Sequence, residues 1–464
     1  MRLKQRPEDF SVTESWRFDP APRGAFFVYL MDKQKLSTFE AVERIAARAG
    51  VQPAEVSYCG LKDKQGRTTQ LVAVHRKPVE LQDPDLRLKP LGRTDAPLSA
   101  VNTTSNRFAV TVRDLGEDDL GRLPASVAEV QRLGVVNYFD SQRFGSLKHG
   151  QGFLVKDLMR GDAEMALKNF LGRPSELDRS DDARVKTFWK EHWGDWRLKN
   201  PYPGAERYAP VLRWLRLHPD DFLGAFLRTE PRWRGLQVFS YQSWLWNEGV
   251  KAYLRDVVGV ASLASIRYQA GTLLFTRALH PEASRTLRNK TFPLLSPLTK
   301  FDDPAVERAA LSVLGREDMT LESLRVPGTT QIHFDPEERT LVVTPGKLVV
   351  SEPSDDELNR GRLRVNVAFT LPPGAYATLV VKRLFWWTLE PKAKEKPPPP
   401  KPRPTQEQVH EDRRRTGFLA KKRARKAARA EAPAAAKRGT ASSAAGRPTP
   451  RPARRRGPGS AGGR

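Results

Sequence analysis

Short runs in which hydrophobic and polar residues alternate predict β-strands near both ends of the first 390 residues. Five runs lie early, at 10–14, 25–31, 55–59, 68–75 and 106–113, and one lies late, at 363–371. A helix predicted over 38–49 begins with the capping-box spacing of Ser37 and Glu40 and is followed by Gly50. A second predicted helix, 118–133, ends before Gly134. Strands and helices interleaved in this way indicate an α+β sheet domain.

The middle of the chain has a different pattern, with amphipathic helices predicted over 157–171, 220–227 and 241–256. Trp233, Trp244 and Trp246 lie in or beside the third of these helices. Strand-like alternation resumes near 341–350. A mainly helical block between two parts of a sheet domain is typical of an inserted domain.

Charge is concentrated at the C-terminus. The 464 residues contain 79 Lys and Arg against 54 Asp and Glu, a formal net charge of +25. Residues 391–464 alone hold 22 Lys and Arg, 5 Asp and Glu, and 12 Pro. This segment has too few apolar side chains to offset the entropy lost on ordering it. We therefore predict a disordered basic tail. Its charge of +17 favours an RNA or DNA partner; a solubilising extension without a specific role is the alternative.

Several classes of protein are disfavoured. The single cysteine, Cys59, excludes an intrachain disulfide framework and multi-cysteine metal sites, and the seven histidines never occur at i, i+4 spacing. No run of about 18 apolar residues predicts a membrane span, and the N-terminus lacks the apolar centre of a signal peptide. Phosphate-binding GxxxxGK[ST] and nucleophile-elbow GxSxG motifs are absent from the sequence. We therefore expect a cytoplasmic protein that binds no metal, no nucleotide cofactor and no membrane. A monomer is a separate expectation that these observations do not address.

The strongest candidate for chemistry is the loop over 60–67, GLKDKQGR, between two predicted strands. Its single carboxylate, Asp63, is expected to be surrounded by Lys62, Lys64 and Arg67, whose charges would favour the ionised form. An ionised carboxylate suits a nucleophile or a base better than a general acid. The alternative is a polar hairpin with a solvated aspartate.

Aromatic residues form a second candidate set. Phe10, Phe108 and Tyr376 each lie near the end of a predicted element beside polar or basic residues, and Asn106 lies close to Phe108. Aromatic faces with an amide alongside can stack an unpaired base and bind its edge. Packing in the core is the alternative.

Taken together, six segments resemble the tRNA pseudouridine synthase D (TruD) family, in the family's order. They are PEDFSVTE (7–14), GLKDK (60–64), NRF (106–108), VNYFDSQRFG (136–145), FSYQSWLWN (239–247) and LPPGAYATLVVK (371–382). These segments span nearly all of the chain before the basic tail.

The resemblance implies a catalytic core of 1–134 and 346–390, with a mixed, largely antiparallel sheet of the pseudouridine-synthase type. It also implies an inserted α/β domain over 135–345. The family's catalytic aspartate corresponds to Asp63 and its early lysine to Lys4. Its uridine-binding positions correspond to Phe10, Asn106 and Tyr376, where related enzymes usually have Phe, and Phe108 is a further candidate for stacking on the base.

The implied reaction isomerises a uridine to pseudouridine without metal, redox centre or nucleotide. Asp63 would act by covalent attack or as a base at the sugar, with Lys4 holding it ionised. The family's usual target is uridine 13 in the D-arm of tRNA. The alternatives are the same chemistry on ribosomal or messenger RNA, and a non-catalytic RNA-binding or RNA-folding protein on this scaffold.

A truncation tests the role of the tail. If residues 391–464 add only electrostatic affinity, deleting them should make RNA binding less dependent on salt and leave the modified site unchanged. Dissociation constants measured across a salt series, together with mapping of the modified uridine, check both parts. A change in which RNA or which uridine is modified would contradict this view of the tail.

Overall fold

The computed structural model describes residues 1–145, 147, 152–176, 178–277, 279 and 281–390. The predicted disorder of 391–464 therefore concerns residues outside the described range. The strands are β1 (Phe10–Trp16), β2 (Phe26–Gln34), β3 (Val56–Tyr58), β4 (Arg67–His75), β5 (Leu86–Thr94), β6 (Thr103–Leu115), β7 (Val135–Val136), β8 (Leu263–Tyr268), β9 (Gly271–Thr276), β10 (Thr291–Leu294), β11 (Glu337–Thr340), β12 (Val342–Val343), β13 (Gly346–Val350), β14 (Ser354–Asp355) and β15 (Leu363–Leu371).

The α-helices are concentrated in the middle of the chain. They are α1 (Thr38–Ala49), α2 (Glu117–Leu133), α3 (Leu154–Met159), α4 (Ala163–Leu167), α5 (Ser180–Glu191), α6 (Ala209–Leu217), α7 (Phe222–Phe226), α8 (Pro231–Val258), α9 (Pro281–Arg288), α10 (Pro304–Arg316) and α11 (Ala377–Leu384).

One nine-stranded sheet joins an early part of the chain, β1 to β6, to a late part, β13 to β15. Its main order is β13-β15-β6-β1-β4-β2-β5, with β14 added to β15 and β3 added to β4. Strands β1 and β4 are parallel, and the other described pairs in this sheet are antiparallel. The predicted α+β class with a mixed, largely antiparallel sheet is therefore confirmed.

All six strands predicted from alternation are present, but β5 was not predicted. Its sequence, LRLKPLGRT, contains Pro90, Gly92 and three basic residues, so it lacks the usual composition of a strand. It pairs with β2 at the end of the main strand order, where a proline without an N–H is tolerated. Local composition therefore hides an edge strand that its neighbour stabilises.

The helix predicted over 38–49 is correct, because the residues that cap it lie next to it in the sequence. In α1, the Ser37 hydroxyl accepts from the Glu40 backbone N–H, the Glu40 carboxylate accepts from the Ser37 N–H, and Gly50 ends the helix with a φ of 63°. The helix predicted over 157–171 is instead broken into α3, α4 and a π-helical turn. Gly161, with a φ of 80°, and Asp162, whose side chain caps α4, cause the break.

Of the three remaining predicted helices, the one over 118–133 matches α2, and the other two differ in length. Helix α8 begins ten residues earlier than predicted, at Pro231, a residue that is well suited to the first turn of a helix. The helix predicted over 220–227 is the short α7.

A two-stranded pairing joins the chain just after α2 to the chain just before β13. Strand β7 pairs antiparallel with β12, with Val135 opposite Val343 and Val136 opposite Val342. Gly134, before β7, has a φ of 73°, and a Cβ there would lie 2.6 Å from a methyl group of Val342. The predicted boundaries at 134/135 and 345/346 lie beside this pairing, and the division into domains stays a prediction.

A buried arginine, Arg113, links the N-terminal segment to the segment before β15. Arg113, 2% exposed, donates to the carboxylates of Asp9 at 2.8 Å, Asp356 at 2.8 Å and Glu357 at 3.0 Å. The backbone of Arg113 also pairs with that of Arg2. These bonds fix the N-terminal segment and the segment before β15 against β6.

Because of this network, the folded state is expected to lose stability at acid pH. Burial alone would raise the pKa of Asp356, but hydrogen bonds from Asn359, two backbone N–H groups and Arg113 together lower it well below its usual range. Hydrogen bonding to Arg113 also lowers the pKa of Glu357 to about 2. Because both pKa values are lower in the folded state, the stabilisation is complete above the ordinary carboxyl pKa of about 4 and is lost as the pH falls below it.

We predict that Arg113→Met lowers the free energy of unfolding at pH 7 by about 3–5 kcal/mol, because it leaves buried carboxylates unpaired. The variant should also lose less stability than wild type between pH 5 and about pH 2, since its carboxyl pKa values return towards normal. Denaturant titrations at a series of pH values check both effects. An acid dependence identical to wild type would contradict the role given to Arg113.

Candidate active site

A cavity of about 490 Å³ lies over β1 and β6 and brings the predicted site residues together. Five of the six line it: Phe10, Asp63, Asn106, Phe108 and Tyr376. The sixth, Lys4, forms an ion pair with Asp63. This central cavity is closed further by Gln142, Arg143 and Leu236 from the middle segment. The structure therefore gathers all six residues at one site, while their individual roles stay predictions.

The parallel pairing of β1 with β4 determines where the Asp63 loop lies. Ser11 pairs with Arg67, so the loop that ends at Gly66 runs directly beside Phe10. A Cβ at Gly66 would lie 2.2 Å from the carbonyl oxygen of Phe10 and 3.2 Å from its ring. Position 66 therefore requires glycine for the loop to approach β1 this closely.

A buried ion pair anchors the loop from below. Glu14, 1% exposed, accepts from the Lys62 ammonium at 2.5 Å, from the Leu71 backbone N–H at 3.0 Å and from the Thr103 hydroxyl at 3.0 Å. The backbone N–H of Lys62 donates to the hydroxyl of Thr38, at the start of α1, at 3.0 Å. Lys62 therefore points away from Asp63 and ties the loop to the sheet.

The prediction that Lys62, Lys64 and Arg67 surround Asp63 is wrong. Lys64 pairs with Glu40 at 2.6 Å and Arg67 with Asp32 at 2.7 Å, just as Lys62 pairs with Glu14. Each of these three cations has a carboxylate of its own. Lys4, from the N-terminal segment, supplies the charge next to Asp63 instead.

Asp63 is held at both carboxylate oxygens. Oδ2 contacts the Lys4 ammonium, and Oδ1 accepts from the backbone N–H of Gln65 at 2.9 Å. The Asp63 side chain is 13% exposed, so it remains open to the central cavity. Lys4 adopts a left-handed backbone with a φ of 57°, and its ammonium lies 4.1 Å from the centre of the Phe10 ring. Such a conformation costs free energy for a lysine and is typical of functional positions.

A buried lysine, Lys33, supports the loop backbone. Its ammonium donates to the carbonyl oxygens of Leu36 at 2.7 Å and Asp63 at 3.1 Å. Burial lowers the pKa of Lys33 to about 8, and the negative charge of Asp63 opposes this shift. Lys33 therefore positions the main chain of Asp63, while Lys4 contacts its carboxylate.

Aromatic rings form the apolar floor of the cavity. Phe10 contacts Phe108 edge-on with ring centres 6.2 Å apart, and Phe108 stacks on Phe369 at 5.6 Å. Phe10 and Phe108 are both buried members of the core as well as cavity-lining residues. The Tyr376 ring is more exposed, and its hydroxyl accepts from Arg143 Nε at 3.2 Å. The tyrosine that replaces the expected Phe therefore has a specific partner for its added hydroxyl.

Asn106 presents an unsatisfied acceptor. It lines the central cavity, and its Oδ1 is buried without a hydrogen-bond partner within the described part of the chain. Leaving such an atom unpaired costs free energy, and a donor on a bound ligand would remove that cost.

Sequence reasoning missed Glu14, Lys33, Arg143, Leu61 and Leu236. Strand alternation could have found the first two, because each follows buried residues at i−2 on the same face of its strand. Leu61 and Leu236 line the cavity while 50% and 43% exposed, and no local signal marks them. No sequence pattern marks Arg143, and only its contact with Tyr376 in the structure identifies it as a site residue.

The described residues offer neither a cluster of metal ligands nor a helix that could span a membrane. No group of three or more His, Cys, Asp or Glu side chains there is arranged to hold a metal ion. None of the helices in those ranges has the length and apolar character needed to cross a membrane. Cys59 lines the cavity, and burial, followed by the charge of Glu14, raises its pKa to about 11.

Comparisons with known proteins agree over nearly the whole described range. A family model for tRNA pseudouridine synthase D (TruD) matches residues 1–384. The probable tRNA pseudouridine synthase D 2 of Methanocaldococcus jannaschii is 30% identical, with 83% of this chain and 92% of the relative covered. The tRNA pseudouridine synthase D of Aquifex aeolicus is 29% identical, with 83% and 98% covered.

A solved structure has a similar fold. The putative tRNA pseudouridine synthase D of Methanosarcina mazei superposes with a TM-score of 0.63 at 22% identity, covering 83% of this chain and 93% of that one.

The Glu14–Lys62 pair gives a test of how the loop is anchored. We predict that Lys62→Met lowers the free energy of unfolding by about 3–5 kcal/mol, because Glu14 is left buried without its cation. Adding Glu14→Gln should recover part of that loss, since the amide is neutral and its oxygen can still accept from Leu71 and Thr103. Denaturant titrations of both single variants and the double variant measure the coupling. Additive losses would show that the pair does not anchor the loop.

Proposed function

Because the chain belongs to the tRNA pseudouridine synthase D (TruD) family of isomerases, we propose that Asp63 is the carboxylate with which it converts a tRNA uridine to pseudouridine. Family membership confirms the resemblance found in the sequence. The observation that carries the proposal is the Lys4–Asp63 ion pair at the wall of the central cavity. A paired carboxylate that faces a cavity can act on a substrate in its ionised form.

The reaction is an isomerisation, so substrate and product contain the same atoms. The bond between C1′ and N1 breaks, the base turns, and C1′ joins C5; a proton leaves C5 and N1 gains one. Asp63 acts either as a nucleophile, with its bond to the substrate broken again later, or as a base at the sugar. In both routes Lys4 orients the carboxylate, and Lys33 fixes its main chain.

The lining of the cavity suits a uracil ring. We propose that Tyr376 stacks on the base while Phe10 and Phe108 form the apolar surface beneath it. The free Oδ1 of Asn106 accepts from N3–H of the uracil, which would satisfy an atom that otherwise lacks a partner. A uridine reaches such a cavity after leaving its helix, at a cost of a few kcal/mol.

We propose uridine 13 in the D-arm of tRNA as the target, and a cytoplasmic monomer as the acting form. The catalytic core is proposed to consist of 1–134 and 346–390, with 135–345 as an inserted domain that helps to hold the RNA. Modification of ribosomal or messenger RNA is the alternative, which the basic tail leaves open because it can raise affinity for many RNAs alike.

The target is tested in cells that lack the protein. Pseudouridine is mapped in total RNA after rescue with wild type or with Asp63→Asn. Loss of a single tRNA D-arm pseudouridine that wild type alone restores would support the proposal. Restoration at a ribosomal or messenger RNA position would support the alternative.

Asp63→Asn should abolish turnover and retain RNA affinity, because the amide is neutral and a poor nucleophile while phosphate contacts supply most of the binding. Single-turnover assays and binding titrations measure the two effects separately. Asp220→Asn, which alters an exposed carboxylate in the middle segment, is the matched control and should keep wild-type turnover. Turnover by Asp63→Asn within about tenfold of wild type would contradict the assignment of Asp63.

A further inference from the structure

Arg143 is a cation in the wall of the central cavity that has no carboxylate partner among the described residues. Its Nε donates to the Tyr376 hydroxyl at 3.2 Å, and its guanidinium carbon lies 4.4 Å from the centre of the Phe239 ring. Neither contact neutralises its charge. A half-buried guanidinium without a counter-ion is costly, so the arrangement calls for an anion that is not part of this wall.

The nearest candidate in sequence, Asp140, is already committed. Its carboxylate accepts from the backbone N–H of Ser141 at 2.7 Å, from the Thr378 hydroxyl and from the Lys382 ammonium. Asp140 therefore ties α11 to the segment that precedes Arg143. It has its own cation and leaves Arg143 unpaired.

A second guanidinium adds positive charge nearby. Arg339 donates to the carbonyl oxygens of Asn137 at 2.8 Å and Gly374 at 3.0 Å, and it lies 4.1 Å from the centre of the Phe139 ring. Burial lowers the pKa of Arg339 to about 10, and the charge of Arg143 adds to this shift. Arg339 fixes the 373–376 turn through carbonyl groups. These acceptors are neutral, so they provide no counter-ion for Arg143.

We propose that Arg143 binds a phosphate group that flanks the target uridine, with Tyr376 as the positioning residue that holds its Nε. The inference rests on the proposed function. Uracil is neutral, so the anion that an RNA substrate brings to the cavity is its phosphate. With Nε occupied by the Tyr376 hydroxyl, the two Nη groups remain to form the paired hydrogen bonds that guanidinium makes with phosphate oxygens.

The arrangement also links the base to the backbone of the substrate. The same Tyr376 that is proposed to stack on the uracil holds the side chain that would bind the adjacent phosphate. A phenylalanine at position 376 would keep the stacking face and lose the contact to Nε. Tyr376→Phe therefore separates the two roles of this residue.

The test removes the charge from the substrate. Three tRNAs that differ only beside the target uridine are compared. The first has the natural phosphodiesters, the second a neutral methylphosphonate on the 5′ side of the uridine, and the third a neutral methylphosphonate on its 3′ side. Dissociation constants are measured with the full-length protein in the Asp63→Asn background, so that the readout does not depend on turnover. Wild-type turnover on the natural tRNA is measured separately and tests the proposed function by itself.

We expect one of the two neutral linkages to weaken binding about 10- to 100-fold, as befits a hydrogen-bonded ion pair. Adding Arg143→Gln should weaken binding to the natural tRNA and abolish the difference between that linkage and the phosphodiester. Adding Tyr376→Phe should reduce the difference without abolishing it. Arg48→Gln, which removes an exposed cation from α1, is the matched control and should keep the full difference.

Two results would overturn the proposal: a full difference that persists in Arg143→Gln, or no difference for either linkage in the parent protein. Circular dichroism and thermal melting of each variant exclude unfolding as the cause of weaker binding.

Discussion

The close approach of Gly66 to Phe10 is the constraint on which the rest of the site depends. It follows from the parallel pairing of β1 with β4, in a sheet whose other described pairs are antiparallel. This pairing places the loop after β3 against the chain segment before β1. Asp63 and Lys4, 59 positions apart, meet for that reason. A larger residue at 66 would displace the loop, and the ion pair would be displaced with it.

Three lysines near Asp63 serve different atoms. Lys4 contacts the carboxylate, Lys33 the backbone carbonyl oxygen, and Lys62 turns away to Glu14 beneath the loop. Each lysine therefore has its own acceptors, and only Lys4 forms an ion pair with the Asp63 carboxylate among the described residues. One cation is enough to orient Asp63 while its other oxygen accepts from a backbone N–H.

Structural features that depend on residues close together in the sequence are predicted correctly. The capping box of α1 and the alternation in β1, β4 and β6 are local, and all are found as expected. The β5 strand, the anchoring role of Glu14 and the acceptor of Lys62 depend on partners distant in the chain, and composition does not reveal them. Resemblance to a family supplied Lys4, which no local pattern marks. Arg143 was missed because its significance depends on a tyrosine 233 positions away.

The cavity over β1 and β6 is proposed to hold the uridine against the residue at position 63. A structure of Asp63→Asn bound to its tRNA would show where that uridine lies. We expect a flipped uridine whose C1′ faces residue 63, whose ring stacks on Tyr376 and whose N3–H donates to Asn106. A uridine that remains stacked in the RNA, or lies at another surface, would contradict it.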